Sequence, residues 1–467
     1  MSETRADESP ALYPVLRGGG GLLLRIFYRA ISVRCEVPPP ESGAVVLAAN
    51  HPNTLMDPLC VAQVTKRPLH FLAKSTLFKR RFANWFLRSM GVIPVYRRQD
   101  DPSKMDQNQQ MFAACHAALG AGGAIALFPE GTSHDDPQLK PLKTGAARIS
   151  LEAEQLHGGR LGVRIVPVGI TFPHRTRFRS TLSIRVGAPI DVAPHFAQYA
   201  SSPEEAVRAL TAEVEERIRL LMIHMDRLDL ADRVKRVEEI FRDELKSELD
   251  PSLPAAGDTV VLSRSIADAA ERLSEQDPEG MSAFWERVDD YVERLRLLHV
   301  RDKALRKGLG RLRWLASIGW GFLYGALALP IALYGLVNHF LPYVLAGALA
   351  RRGAEGPEDV APYKVYFGLP LFLVAYAVQG YFVWRWQGGV VAAAYLATLP
   401  FVGLWSIAFF RRAAAWWAGV RLGWLSFARP ATIAMLRAER EGLKRELDAL
   451  KERYLAMPSG GNRGAGI

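Results

Sequence analysis

A histidine and an aspartate, His51 and Asp57, lie close together in a polar stretch that follows a short apolar run over residues 44–49. A run this short, with two β-branched residues near its centre, predicts a buried strand. The pair would then lie just past the carboxyl end of that strand, where open α/β sheets bind their ligands. There His51 could act as a general base whose orientation Asp57 fixes. The alternative is a loop histidine followed by a helix-capping aspartate, and the pair alone does not distinguish the two.

Three further segments carry groups that could complete such a site. Residues 91–98 (GVIPVYRR) form an extended segment that ends in two arginines. Residues 128–134 (FPEGTSH) leave a predicted strand through a glycine turn, and residues 166–168 (VPV) lie within a late strand. Arginines beside a general base suit a substrate that carries negative charge.

The elements that must position these residues alternate between strand and helix from about residue 37 to residue 194. Apolar runs predict strands at residues 44–49, 124–128, 164–172 and 182–186, and the pattern over residues 104–120 predicts a helix. This alternation favours an α/β fold in which helices flank a mixed sheet. A soluble helical region and transmembrane helices are expected to follow it.

Composition divides the whole chain into five parts. These are a disordered N-terminus (1–20), the α/β domain with an N-terminal interfacial helix (21–200), a charged helical region (201–312), a transmembrane region (313–412), and an interfacial or amphipathic helix with a flexible tail (413–467). Residues 22–31 mix arginines with large apolar side chains, which is typical of a helix at a membrane surface.

The transmembrane region contains three apolar runs, at residues 314–350, 365–384 and 389–410. Each is long enough to cross a bilayer. Arginines follow the first and third runs, and a cluster of Lys and Arg precedes the first, so all these flanks are expected in the cytoplasm. Three simple crossings cannot satisfy this, and the long first run is therefore predicted to be re-entrant. The α/β domain would face the cytoplasm.

The charge and cysteine content restrict the partners. Subtracting 48 acidic from 59 basic residues gives a net charge of +11, which suits phosphorylated substrates or an acidic membrane surface. No nucleic-acid-binding motif is present. The three cysteines are widely spaced, so neither a disulfide framework nor a metal site is expected. Cys60 is interpreted as a small buried apolar residue rather than a nucleophile.

The four polar segments, in this order over about residues 20–195, resemble the motifs of the glycerolipid acyltransferase superfamily. Two features depart from the family pattern. Five residues separate His51 from Asp57 where the family has four, and Ser133 and His134 follow Thr132 where the family has an arginine. Together with the residues around them, these features are most similar to the fungal-type glycerol-3-phosphate and dihydroxyacetone-phosphate acyltransferases.

The resemblance implies transfer of an acyl group from acyl-CoA or acyl carrier protein to a glycerol-3-phosphate-type acceptor, with no cofactor and no metal. His51 and Asp57 are then the catalytic residues. The predicted substrate-binding residues are Lys74, Arg97, Glu130, Gly131, Thr132 and Lys143. Two alternatives stay open: a 1-acylglycerol-3-phosphate or other lysophospholipid as acceptor, and a non-catalytic lipid-binding scaffold with a degenerate acyltransferase fold. Membrane lipids are expected partners in each case.

Overall fold

A computed structural model describes residues 12–97, 102–134, 136, 138–225, 228–247, 259–307 and 311–457. The chain forms two compact units. The first comprises Met1–His224 and Gly353–Pro362, and the second comprises Met225–Arg352 and Tyr363–Ile467. The first unit therefore contains the predicted α/β domain together with a short segment from between two of the apolar runs.

The first unit is built on a sheet of eight strands. They are β1 (Tyr28–Cys35), β2 (Val45–Ala49), β3 (Leu69–Lys74), β4 (Ile93–Val95), β5 (Ala124–Leu127), β6 (Arg164–Thr171), β7 (Ser180–Val186) and β8 (Ile190–Asp191). The order is β1-β7-β6-β2-β5-β3-β4, and β8 pairs with β6. All pairs are parallel except those of β6 with β7 and β8, so the predicted mixed sheet is confirmed.

Strand β2 lies at the centre of this sheet, paired in parallel with β5 on one side and β6 on the other. Its five residues are all buried, as expected for a strand that is covered on both faces. The polar residues that follow Ala49 therefore emerge at the carboxyl edge of the sheet, near its middle. This confirms the position predicted for His51.

Seven α-helices complete the first unit. They are α1 (Tyr13–Phe27), α2 (Met56–Val61), α3 (Arg81–Ser89), α4 (Asn108–Gly120), α5 (Gly145–Leu156), α6 (Ala193–Tyr199) and α7 (Pro203–Leu221). Helix α7 buries Leu210, Val214 and Ile218 in the same core as the sheet. The boundary predicted at residue 200 is therefore wrong, because the apolar stripe of α7 covers the sheet despite its charged outer face.

The N-terminal predictions also need correction. Helix α1 begins at Tyr13, so residues 13–20 are helical where disorder was predicted, and it ends at Phe27, before the strand that starts at Tyr28. Its glycines permit close packing, since a Cβ at Gly20 would lie 2.9 Å from Leu59 of α2. Residues 1–11 lie outside the described part of the chain. The opposite face of α1 leaves Leu22 and Ile26 exposed, as in the predicted interfacial helix.

The second unit consists of helices. They are α8 (Leu228–Ser247), α9 (Thr259–Gln276), α10 (Pro278–Leu297), α11 (Asp302–Lys307), α12 (Arg311–Gly353), α13 (Pro357–Gln387, whose first turns belong to the first unit), α14 (Gly389–Ala428) and α15 (Pro430–Leu455). Helix α15 buries Ile433, Leu436 and Leu443 in a core that it shares with α8, α9 and α10. The amphipathic helix predicted within residues 413–467 therefore packs on other helices of this unit. Residues 458–467 lie outside the described part.

Helices α12, α13 and α14 are long and apolar enough to cross a membrane. The re-entrant turn predicted within residues 314–350 is wrong, because α12 is continuous through Pro330 and Pro342. Helix α14 likewise runs on to Ala428, so residues 413–428 are not a separate interfacial segment. Small residues allow close packing of α12 on α14, as the Ser406 hydroxyl donates to the Ala332 carbonyl at 2.8 Å.

Candidate active site

His51 and Asp57 are in direct contact. The His51 Nδ1 lies 2.8 Å from Asp57 Oδ2, and the backbone N–H of Asn53 donates to the same oxygen at 2.6 Å. Asp57 is fully buried in the first turn of α2, whereas the His51 side chain is 18% exposed. When Asp57 is ionised, Nδ1 carries the proton and Nε2 keeps its lone pair. This is the arrangement of a general base with an orienting carboxylate.

Thr54 explains how five intervening residues still permit this contact. It has a φ of +39°, a left-handed conformation that is uncommon for a β-branched residue. The turn that it forms brings the Met56 N–H to the Asn53 carbonyl at 2.9 Å. The Thr54 hydroxyl lies 2.7 Å from Asp359 Oδ1, in the Gly353–Pro362 segment of the same unit. The extra residue is thus absorbed in a tight turn that also binds this segment.

Glu130 joins the loop that carries His51 to the FPEGTSH loop. Its Oε1 accepts from the His51 backbone N–H at 2.7 Å, and its Oε2 accepts from the Lys140 N–H at 3.1 Å and contacts His134 Nε2. The His134 N–H in turn donates to the His51 carbonyl at 3.3 Å. We call this arrangement of Glu130, His134 and the His51 backbone the two-loop clamp. Both carboxylate oxygens of Glu130 are engaged by protein groups.

Two residues that the sequence reasoning left unassigned also fix His51. The Phe128 ring stacks on the imidazole, with centroids 4.1 Å apart and an angle of 13° between the planes. The Asn50 side chain both donates to and accepts from the Ile170 backbone, at 2.9 and 2.7 Å. It extends the β2–β6 pairing by one residue beyond the strand. In the sequence, both residues adjoin motif residues at the ends of predicted strands, and this position could have identified them.

Cations lie next to this loop pair. Arg97 donates to the Gly131 carbonyl at 3.1 Å, and a Cβ at Gly131 would lie 2.6 Å from Lys143 Nζ. Gly131 also has a φ of +72°, which favours glycine. Lys74 is exposed at the end of β3, in register with Val95 two residues before Arg97. Lysine and arginine here supply the charge that a phosphate requires.

Thr132 and Arg148 are less closely tied to this group. Thr132 is exposed at the tip of the loop, with its hydroxyl 3.4 Å from the Ser133 carbonyl. Lys143 and Arg148 are two cations that could replace the family arginine absent after Thr132. Arg148 instead pairs with Glu152 and lies 4.7 Å from the Phe112 ring centroid. Lys143 is thus the better placed of the two candidate replacements.

Residues 31–171 match the family model described as acyltransferase. Glycerol-3-phosphate O-acyltransferase 2 of Saccharomyces cerevisiae is 24% identical over 297 residues, which cover 41% of this chain and 40% of the yeast protein. The 1-acyl-sn-glycerol-3-phosphate acyltransferase of Streptococcus pneumoniae is 28% identical over 159 residues, covering 33% of this chain and 53% of that protein. Residues 31–171 are therefore similar to acyltransferases. The predicted resemblance to the glycerolipid acyltransferase superfamily is confirmed over this stretch.

The match does not extend over whole proteins. The chain spans 40% of the length of the yeast acyltransferase and 53% of the length of the streptococcal one. The crystal structure of the 1-acyl-sn-glycerophosphate acyltransferase PlsC from Thermotoga maritima has a TM-score of 0.32 and 20% sequence identity, over 46% of this chain and 83% of that one.

Cys60 is fully buried, as predicted. Burial, together with the negative charge of Asp57, raises the pKa of its thiol well above the ordinary value. The thiolate form that a nucleophile needs is therefore disfavoured at neutral pH. The structure gives no support to a covalent intermediate on Cys60.

Arg175 is a further cation that sequence reasoning missed. It follows β6 in a segment with three arginines, at residues 172–179 (FPHRTRFR), and donates to the His134 carbonyl at 3.3 Å. Burial raises the pKa of the Asp57 carboxyl, and the His51 contact, the Asn53 N–H and the charge of Arg175 oppose that rise. The alternating arginines that follow a predicted strand are the sequence feature that could have identified Arg175.

Replacing Arg175 by Gln is expected to move the acid limb of the rate–pH profile to higher pH. Arg175 lowers the pKa of Asp57, so its loss raises that pKa, and protonated Asp57 no longer orients His51. The shift is expected toward higher pH, because the removed charge favours the ionised carboxylate. Turnover from acid to neutral pH measures it. Arg177→Gln, an exposed arginine of the same segment, is the control, and an equal shift there would contradict the assignment.

Glu130→Gln tests the two-loop clamp. Gln keeps the shape but removes the charge that two backbone N–H groups and His134 share, so we expect a loss of about 1–3 kcal/mol in stability together with reduced turnover. Thermal unfolding and acyl transfer are measured together. Glu154→Gln is the matched control, because Glu154 is buried and also accepts two backbone N–H groups. It should lose stability and keep turnover. An unchanged stability with weakened acceptor binding would favour the binding role that the resemblance implies.

Proposed function

We propose that this chain is a membrane-bound O-acyltransferase that moves a fatty acyl group from a thioester to a hydroxyl of glycerol-3-phosphate. The observation that carries the proposal is the 2.8 Å contact of His51 with Asp57, beside cations at the carboxyl edge of the sheet. The family match over residues 31–171 and the relatives named for glycerol-3-phosphate and 1-acylglycerol-3-phosphate support this chemistry.

The proposed reaction uses no covalent enzyme intermediate. The Nε2 of His51 takes the proton of the acceptor hydroxyl as its oxygen attacks the thioester carbonyl. The C–O bond forms, the C–S bond breaks, and the imidazolium returns the proton to the thiolate that leaves. Asp57 stabilises the imidazolium meanwhile, and the Phe128 ring holds its plane. None of these steps requires a metal or a cofactor.

The acceptor phosphate is proposed to bind between Arg97 and Lys143, with Lys74 at the outer end of the site. Arg97 and Lys143 both lie against Gly131, so a dianion placed there would contact two cations from different loops. The planar guanidinium of Arg97 can bind a phosphate through paired hydrogen bonds. The mobile ammonium of Lys143 can bind it as a point charge. The donor is proposed to be acyl-CoA, with acyl carrier protein as the alternative.

We also infer that the C-terminal end of α12 lies on the cytoplasmic side, with the acyltransferase domain. Arg351 and Arg352 are the cations at this end. The segment just beyond it belongs to the first unit, where the Thr54 hydroxyl hydrogen-bonds to Asp359. A single cysteine at position 353, in a chain with Cys35 replaced by Ser, should react with an impermeant maleimide only from the cytoplasmic side. Labelling from the opposite side would contradict this topology.

One assay tests the activity and distinguishes the acceptors. The purified full chain in nanodiscs is given labelled acyl-CoA and glycerol-3-phosphate, dihydroxyacetone phosphate or a panel of lysophospholipids. Product with glycerol-3-phosphate supports the proposal, and product with 1-acylglycerol-3-phosphate alone favours the second acceptor, which the streptococcal relative's name suggests. No product with any acceptor favours the non-catalytic scaffold.

A further inference from the structure

Helix α3 presents an aromatic surface to solvent. None of its nine residues is buried, and Phe82 and Trp85 are 72% and 59% exposed. The Phe82 ring lies next to two others, with centroids 5.9 Å from Trp85 and 6.0 Å from Phe86. Adjacent exposed rings of this size are unusual on a protein surface and indicate a contact with something apolar.

The same helix is surrounded by positive charge. Lys79, Arg80, Arg81 and Arg88 are all exposed on or next to α3. No aspartate or glutamate occurs between Asp57 and Asp100, a stretch that contains nine lysines and arginines. A partner of α3 must therefore be apolar in its interior and negatively charged at its surface.

An anionic lipid bilayer has both properties. Tryptophan and phenylalanine place amphipathic or apolar rings at the headgroup level, while arginine and lysine bind lipid phosphates. Each cation near an anionic leaflet strengthens this binding. We propose that α3 docks the acyltransferase domain on the surface of an anionic bilayer, with Phe82 and Trp85 inserted among the headgroups.

The place of α3 in the fold gives this docking a consequence for the site. The helix lies in the connection between the parallel strands β3 and β4, and Lys74 ends the first of these while Arg97 follows the second. Docking of α3 therefore holds the cationic end of the site at the lipid surface. A soluble phosphorylated acceptor and an acyl-CoA donor whose chain lies among the lipids would meet there.

The test measures the depth of α3 directly and needs no catalysis, so it stands or falls separately from the proposed reaction. In a full-length chain with Cys35 replaced by Ser, a spin label is attached at Phe82→Cys, and the protein is placed in nanodiscs with or without phosphatidylglycerol. Buried Cys60 and Cys115 stay unlabelled. Leu156→Cys, at an exposed leucine at the end of α5, is the matched control.

We expect the label at position 82 to be more accessible to oxygen than to nickel-EDDA, and the label at position 156 to show the reverse. Accessibility to nickel-EDDA at position 82 would place α3 in water and overturn the proposal. Low accessibility to both reagents would mean that protein, either a second copy or the chain's own helices, covers α3, and would also overturn it.

A second variant tests the role of charge. Replacing Lys79, Arg80 and Arg81 together by Gln leaves Trp85 and Phe86, the two rings that remain in the labelled chain, in place. Access of nickel-EDDA to position 82 should then rise several-fold in discs that contain phosphatidylglycerol, because the attraction to the lipid phosphates is lost. If the depth of the label at position 82 depends neither on these residues nor on the anionic lipid, the proposal that α3 recognises negative charge is wrong.

Discussion

His51→Ala should reduce acyl transfer by on the order of 10²–10⁴-fold, the usual contribution of a positioned general base. The imidazole makes the contact with Asp57 and is stacked on Phe128, so the substitution removes the proposed base together with its orienting contact. The measurement is turnover of the purified full chain with saturating donor and acceptor. Thermal unfolding of the same preparation shows whether the variant is folded.

The chain contains a matched control for this variant. His195 Nε2 lies 2.8 Å from Glu213 Oε2 in the same unit, and its side chain is 17% exposed, close to the value for His51. His195→Ala removes a histidine–carboxylate pair of equal length between α6 and α7 and should leave turnover close to that of the unmodified chain. Near-normal turnover of His51→Ala would refute the base assignment.

Arg97→Ala should raise the KM for a phosphorylated acceptor by roughly 10- to 150-fold, since a hydrogen bond to a charged group contributes about 1.5–3 kcal/mol. The KM for acyl-CoA should change little, because the proposed contact is with the acceptor phosphate. Arg97→Lys keeps the charge and loses the planar fork, so it should recover only part of the affinity. Kinetics with glycerol-3-phosphate and with glycerol separate the phosphate from the rest of the acceptor.

If Arg97→Ala raised the KM for glycerol and the KM for glycerol-3-phosphate by the same factor, the result would count against a phosphate contact. It would point instead to the bond between the guanidinium and the Gly131 carbonyl, which supports the loop. Arg160→Ala, an exposed arginine of the same unit, controls for a general change in surface charge.

The place of the site was predictable from the sequence because it depends on local patterns. The run at residues 44–49 has the length and composition of a buried central strand, and His51 must follow its carboxyl end. The order of the other polar segments along the chain then indicated which strand ends meet. The mixed sheet followed from the same alternation of strands and helices.

The backbone turn that forms the His51–Asp57 contact, and the contacts between distant residues, were not predictable in this way. The left-handed turn at Thr54 brings Asp57 onto His51, and no spacing rule contains that turn. Arg175 reaches His134 through the fold of β6, not through a motif. The prediction of a re-entrant run was wrong for a different reason. Flanking charges indicate on which side of the membrane a helix end lies, but not whether the helix is continuous.

The two-loop clamp makes the His51 loop and the FPEGTSH loop energetically dependent on each other. Because Glu130 holds the His51 backbone while His134 holds both Glu130 and the His51 carbonyl, substitutions in the two loops should not have additive effects in a double-mutant cycle. A third motif with arginine after the threonine and no histidine at the next position would bring no imidazole to Glu130. Exchanging that loop alone should therefore fail, and the two loops have to be exchanged, or to evolve, as a pair.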